Sequence, residues 1–139
     1  MNSDNGKPGI DFPGLGVGLA IMRDDKILLY KRVKPPEAGH WNIVGGKVDH
    51  MEPAEQAARR EAVEETGLEI GAIEFVAMTE QIIAADRQHW LSLLYVTRDF
   101  TGEPSLTEPD KLSDFGWFAL DALPEPLSAF TREIARHLT

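Results

Sequence analysis

Three glutamates, Glu61, Glu64 and Glu65, fall close together in an alanine-rich stretch. Advancing about 100° per residue from Ala54 puts Glu64, Glu61 and Glu65 near 280°, 340° and 20°, an arc of roughly 100° on one helix face. Ala54, Ala57 and Ala58 share that face and leave the carboxylates room to converge. Like charges at i,i+3 and i,i+4 cost a helix a few tenths of a kcal/mol per pair, and the negative end of the helix dipole adds to that cost. Something must compensate. Clustered oxygen donors suit Mg²⁺ or Mn²⁺, which keep waters and substrate phosphates in their shells. The competing reading is a solvated acidic face with Arg59 and Arg60 as local counter-ions.

The elements that must position these groups can be read from the surrounding pattern. Pro53 stands where a helix can begin, because the first turn has no use for its missing N–H. Gly67 is placed to end the helix as a left-handed cap. Strands are expected over 15–22 and 26–31, joined by a turn at Arg23-Asp24-Asp25, and over 70–79, 90–96 and 115–119. A short apolar piece, 41–46, ends in Gly45-Gly46. Apolar residues at 127, 130, 134 and 138 predict a terminal helix. Residues 1–13, polar and rich in Gly and Pro, read as a flexible arm, with one domain over 14–139. Strands alternating with helices point to an α/β or α+β sandwich.

Composition narrows the classes. A chain of 139 residues with 42% hydrophobic and 27% charged residues is one globular domain's worth. Without cysteine it has no disulfide, thiolate zinc site or thiol nucleophile. None of the four histidines, His89 included, has metal-ligand spacing. No apolar stretch approaches the roughly 20 residues of a membrane span, and no signal peptide is visible at the start, so a cytoplasmic protein with no membrane partner is expected. The net charge of −9 is unevenly spread: residues 1–51 hold 7 Lys+Arg against 6 Asp+Glu, and residues 52–139 hold 7 against 17. So acidic a surface repels a phosphate backbone, and no nucleic-acid partner is expected. If the ligand is nonetheless an anion, a cation must stand between it and the carboxylates.

Gly46, five residues, Glu52, seven residues, then Arg60-Glu61-Ala62-Val63-Glu64-Glu65-Thr66-Gly67-Leu68 resembles the Nudix box, Gly-x5-Glu-x7-Arg-Glu-U-x-Glu-Glu-x-Gly-U. Every fixed polar and glycine position agrees. Val44 replaces a usual proline and Met51 a frequent glycine, departures that touch loop shape. The resemblance runs over about residues 14–138. It implies an α/β/α sandwich with a mixed central sheet in a single domain. It also implies hydrolysis of a nucleoside diphosphate linked to another moiety, with Mg²⁺ or Mn²⁺ as cofactor.

By the same resemblance, Gly45, Glu61, Glu64 and Glu65 would hold the metal, with Glu61 a ligand or a base, and Arg60 would pin a box carboxylate. Glu52 is the box's first acid, either a ligand or a structural partner. Gly46 would bring the backbone up to the phosphates, and Arg32 and Trp41 would contact substrate. A further acid is expected from Glu108, Asp110 or Asp114. Trp41 and the run Glu108-Pro109-Asp110-Lys111 ahead of Trp117-Phe118 resemble the MutT-like branch, which cleaves nucleoside triphosphates to monophosphate and pyrophosphate. The branch that cleaves ADP-ribose usually has a proline where this chain has Ala84. ADP-ribose or a nucleotide sugar is the alternative substrate, and a non-catalytic nucleotide sensor the alternative class. Many relatives dimerise, and the terminal helix stripe could serve a partner as well as the core, which leaves a homodimer open among the partners.

Overall fold

In a computed structural model of the chain, which describes residues 6–138, β1 (Gly14–Arg23) and β2 (Lys26–Arg32) form a hairpin closed by Asp24-Asp25. Asp24 takes the positive φ, 58°, that a two-residue hairpin turn requires. β1 is the hub of the sheet. Along one edge it pairs in parallel with β7 (Gln88–Thr97), which pairs antiparallel with β6 (Glu74–Ile83). Along the other it pairs antiparallel first with β4 (Val44–Lys47) and then with β2. β2 also carries β3 (Trp41–Asn42) and β9 (Leu112–Ala119). β5 (Glu69–Ile70) and β8 (Phe100–Thr101) make a separate ribbon.

Two helices cover the sheet, α1 (Ala54–Thr66) and α2 (Ala129–Leu138). Strand periodicity distributes the core between them. Val17, Leu19 and Ile21 pack with Ala57, Ala58 and Ala62 of α1, while Ala20 and Met22 pack with Leu127 and Ile134 on the α2 side. β2 divides likewise, Leu28 and Tyr30 to one core and Ile27 and Leu29 to the other. Burial on both faces accounts for the unbroken apolar run Leu19-Ala20-Ile21-Met22, and each large side chain contributes about 1.5–3 kcal/mol. The α/β/α sandwich with a mixed sheet is the fold observed. No helix among the described residues is long and apolar enough to cross a membrane.

The expected elements are present with local differences. The 41–46 piece is broken at Ile43, whose N–H donates to Thr131 Oγ1 (2.9 Å) rather than to a strand; β3 before it pairs with β2, and β4 after it with β1. The expected strand over 70–79 is also two, because Gly71 and Ala72 turn onto Asp99. Pro53 sits one position before α1, with extended backbone. Part of the segment read as a flexible arm is tethered: Gly9 N–H donates to Phe12 carbonyl (2.7 Å), and Gly9 carbonyl accepts from His89 N–H of β7 (2.8 Å). Residues 1–5 and residue 139 lie outside the described residues.

Candidate functional site

The carboxylate face of α1 lies against β4. Ala57, Ala58 and Ala62 are fully buried there, bringing the helix close enough for its glutamates to reach the Gly45-Gly46 backbone. Gly45 N–H donates to Glu65 Oε1 at 3.1 Å. A Cβ at Gly46 would fall on the Glu61 carboxylate, and one at Gly45 on the Val17 carbonyl of β1. Glycine at both positions is therefore a steric requirement of helix, strand and carboxylates meeting at one place.

Arg60 organises the rest. Its Nε and Nη2 donate to the two oxygens of Glu52 (2.7 and 2.9 Å), and its Nη1 donates to Glu61 (2.7 Å) and Glu64 (3.2 Å). Nη2 also reaches Lys47 carbonyl (3.2 Å) and lies 3.5 Å from Asp49. Glu52 accepts in turn from Asp49 N–H (3.1 Å). A forked guanidinium on a carboxylate of this kind is rigid. It ties the loop after β4 to the middle of α1, and it holds Glu52 below the usual carboxylate range.

Glu65 is held differently. It has no basic side chain bonded to it among the described residues, and burial pushes its carboxyl up to about 8. Gly45 N–H and the Arg32 charge oppose that shift, while the charges of Glu61 and Glu108 add to it. Burial raises Glu61 as well, against the pull of Arg60. Of these two carboxylates taken out of water, Glu61 shares Arg60 with Glu52 and Glu64, and Glu65 is short of positive charge.

The helix end beside them is closed by the segment following β8. Gly67 N–H donates to Val63 carbonyl, Ser105 N–H to Thr66 carbonyl (3.0 Å) and the Thr107 hydroxyl to Glu64 carbonyl. Tyr30 donates from beneath to Ser105 carbonyl (2.7 Å). These donors satisfy carbonyls whose negative end would otherwise face the glutamates.

On the other side of Gly45-Gly46 opens a cleft of about 570 Å³, walled by β1, β4, β7, α2 and the 35–36 loop. Among the described residues its charged lining is Lys7, Arg32 and Lys47, with no carboxylate. Arg32 is fixed by donating to the carbonyls of Pro36 (2.7 Å) and Pro35 (3.4 Å). Trp90 and Phe130 supply aromatic surface. Asn42 also lines the cleft, and its Oδ1 accepts from the hydroxyls of Ser128 (2.6 Å) and Thr131 (3.1 Å). The amide NH₂ is then the end of Asn42 left for a ligand.

Arg32, Gly45 and Gly46 are thus at the cleft, Glu52, Arg60, Glu61 and Glu64 form one network beside it, and Glu65 joins them through Gly45 N–H. Trp41 differs from expectation. It does not line the cleft; pairing of β3 with β2 turns its ring edge-on to Phe118, 5.1 Å between centroids. Trp117 likewise packs on Phe100, and the Arg23 guanidinium lies against both rings. Of the three loop acids, Glu108 is partly buried and its charge reaches Glu65, whereas Asp110 and Asp114 are exposed. Asn42, Lys7, Trp90 and Phe130 escaped the sequence reading, since each comes from a separate element with no motif of its own.

The NUDIX domain family model matches residues 13–138. A MutT NUDIX hydrolase from Burkholderia pseudomallei superposes with a TM-score of 0.89 at 44% identity, over 93% of this chain and 100% of that one. The NAD-capped RNA hydrolase NudC of Pseudomonas aeruginosa is 34% identical over 131 residues, covering 91% of this chain but 44% of the relative. The oxidized purine nucleoside triphosphate hydrolase of Danio rerio is 30% identical over 104 residues, 75% of this chain and 65% of the relative. The chain therefore spans about half to two thirds of the length of these two relatives. With the box, the sandwich and the family match in agreement, the chain belongs to the Nudix family and is MutT-like.

Proposed function

We propose that the protein is a Mg²⁺- or Mn²⁺-dependent hydrolase that cleaves a nucleoside triphosphate to the monophosphate and pyrophosphate. The observation that carries this reading is the meeting, at Gly45-Gly46, of a carboxylate face short of positive charge with a cleft lined by cations and aromatic rings. A nucleotide needs both: the cleft suits base and phosphates, and the carboxylates suit a divalent ion.

The donor set fits such an ion, since Glu61, Glu64 and Glu65 offer hard oxygens beside the Gly45 backbone. Among the described residues no three acidic or imidazole groups stand close enough to cage an ion as arranged. Glu61 and Glu64 are both on the Arg60 guanidinium, which must yield one of them as the carboxylates close. When bound, the ion neutralises the diphosphate and acidifies a water. Arg60, anchored by Glu52, orients the carboxylates. Glu61, raised by burial, is the group suited to accept a proton, with Glu108 the loop acid nearest to assist. Arg32 and the Gly46 backbone face the phosphates, and Trp90, Phe130 and Asn42 face the base.

Triphosphates are favoured by the MutT-like flanks, by the TM-score of 0.89 to a MutT hydrolase and by the relative named for oxidized purine nucleoside triphosphates. The second reading, a diphosphate linkage as in ADP-ribose or NAD, is favoured by the 34% identity to a NAD-capped RNA hydrolase. The acidic 52–139 portion supports a small nucleotide over a nucleic-acid backbone as ligand. The apolar Met78 and Ile82, exposed on β6, are surface that a homodimer would cover. Product analysis on a panel of canonical and oxidised triphosphates, ADP-ribose, NAD and NAD-capped RNA, with Mg²⁺ and with chelator, tests the reading. One triphosphate turned over at least tenfold better in kcat/KM than the diphosphate compounds, only with metal, is expected. A reverse ranking would establish the second reading, and no turnover with nucleotide bound would establish a sensor.

A further inference from the structure

The segment ahead of β1 lies outside the matched family domain, which begins at residue 13, yet it is built into the cleft wall. Lys7, Pro8 and Ile10 line the cleft beside Trp90. The turn that places them is internally bonded: Ile10 and Asp11 N–H both donate to Lys7 carbonyl (3.1 and 2.9 Å), and Lys7 N–H donates to Asp11 Oδ2 (2.6 Å). Gly9 has φ +83°, and a Cβ there, or at Gly14, would run into the Trp90 indole. The backbone thus lies flat on that ring, whose Nε1 is directed to Gln88 Oε1 (2.8 Å). One face of the indole is braced by the turn.

The charges single out Lys7. Of the three cations lining the cleft, Arg32 is anchored on the Pro35 and Pro36 carbonyls with further N–H groups left over, and Lys47 lies 3.3 Å from Asp49. Lys7 has no salt-bridge partner among the described residues. Only its backbone holds the turn. An ammonium without a carboxylate partner among the described residues, beside an aromatic wall in a chain of net charge −9, is suited to an anionic ligand. Resting on the function proposed above, we propose that residues 7–12 are part of the nucleotide site and that the Lys7 ammonium contacts an anionic group of the bound nucleotide. Substrate selection then depends on residues that precede the family domain.

The probe is the α,β-methylene analogue of dGTP, which resists cleavage at that position, titrated calorimetrically in Mg²⁺. Deoxyguanosine, which has no phosphate, is the control. Lys7→Ala is expected to weaken the analogue at least fivefold and Lys7→Glu at least twentyfold, with Lys7→Arg within twofold of wild type. Deoxyguanosine binding and Tm should stay unchanged, because Lys7 holds the turn only through its backbone N–H and carbonyl. Wild-type binding of the analogue with Lys7→Glu equal to it would overturn the inference and leave the proposed function standing. Failure of the wild type to bind the analogue, together with no turnover on the panel, would overturn both. A loss of affinity shared equally by deoxyguanosine would make Lys7 a structural residue and overturn its role as an anion contact.

Discussion

At the scale of single residues, Glu65 separates the roles of charge and fold. Its carboxyl is raised from 4.5 to about 8, chiefly by burial. An unfolded chain gives up that proton near 4.5, so between 4.5 and about 8 the folded state holds a proton that the unfolded state has lost. Metal-free protein therefore loses stability as pH rises through this window. In chelator, the Tm of wild type should fall from pH 5 to pH 8 more steeply than that of Glu65→Gln. Mg²⁺ added at pH 8 should recover the difference for wild type alone, because an ion displaces the proton. Parallel pH curves for the two proteins in chelator would contradict the burial argument. The arc shared by Glu61, Glu64 and Glu65 was legible in the sequence because helical spacing is local. The engagement of Arg60 by Glu52, Glu61 and Glu64 at once was not, since it depends on where the loop after β4 lies.

At the scale of elements, α1 shows why so costly a helix holds. Its negative end carries two adjacent glutamates, and the compensating donors are Gly67 N–H, Ser105 N–H and the Thr107 hydroxyl. Gly67 has φ 77°, so Gly67→Ala should cost about 1 kcal/mol, or roughly 3–5 °C in Tm. An unchanged Tm would show that the cap is not strained in this way. The glycine stop was readable from its position after the last helical residue. The 105–107 segment was not, because a polar loop with Gly and Pro announces itself only as a loop. The 41–46 piece makes the same point. Its residues look like one strand, and only the buried Thr131 hydroxyl, 88 residues away, takes Ile43 off the ladder.

At the scale of the whole molecule, charge is sorted more finely than the net value shows. In a chain of net charge −9, the described residues that line the cleft include no carboxylate, and carboxylates gather beyond Gly45-Gly46. The sequence split of charge at residue 51 foreshadowed this, since Lys7, Arg32 and Lys47 all precede it. Trp41 shows the limit of that kind of reading. Its neighbours in sequence resemble those of a substrate contact, yet the pairing of β3 with β2 turns the ring to Phe118, and Trp90 of β7 lines the cleft. The central claim is that the cleft and the α1 carboxylates work as one hydrolytic site. Identifying the products of dGTP by phosphorus NMR, for wild type and Glu65→Gln with and without Mg²⁺, tests it most directly. The account predicts monophosphate and pyrophosphate in equal amounts from wild type with Mg²⁺, none in chelator, and kcat lower by about 100-fold or more in Glu65→Gln with the fold intact. Hydrolysis that persists in chelator, or a Glu65→Gln variant as active as wild type with the same metal dependence, would contradict it.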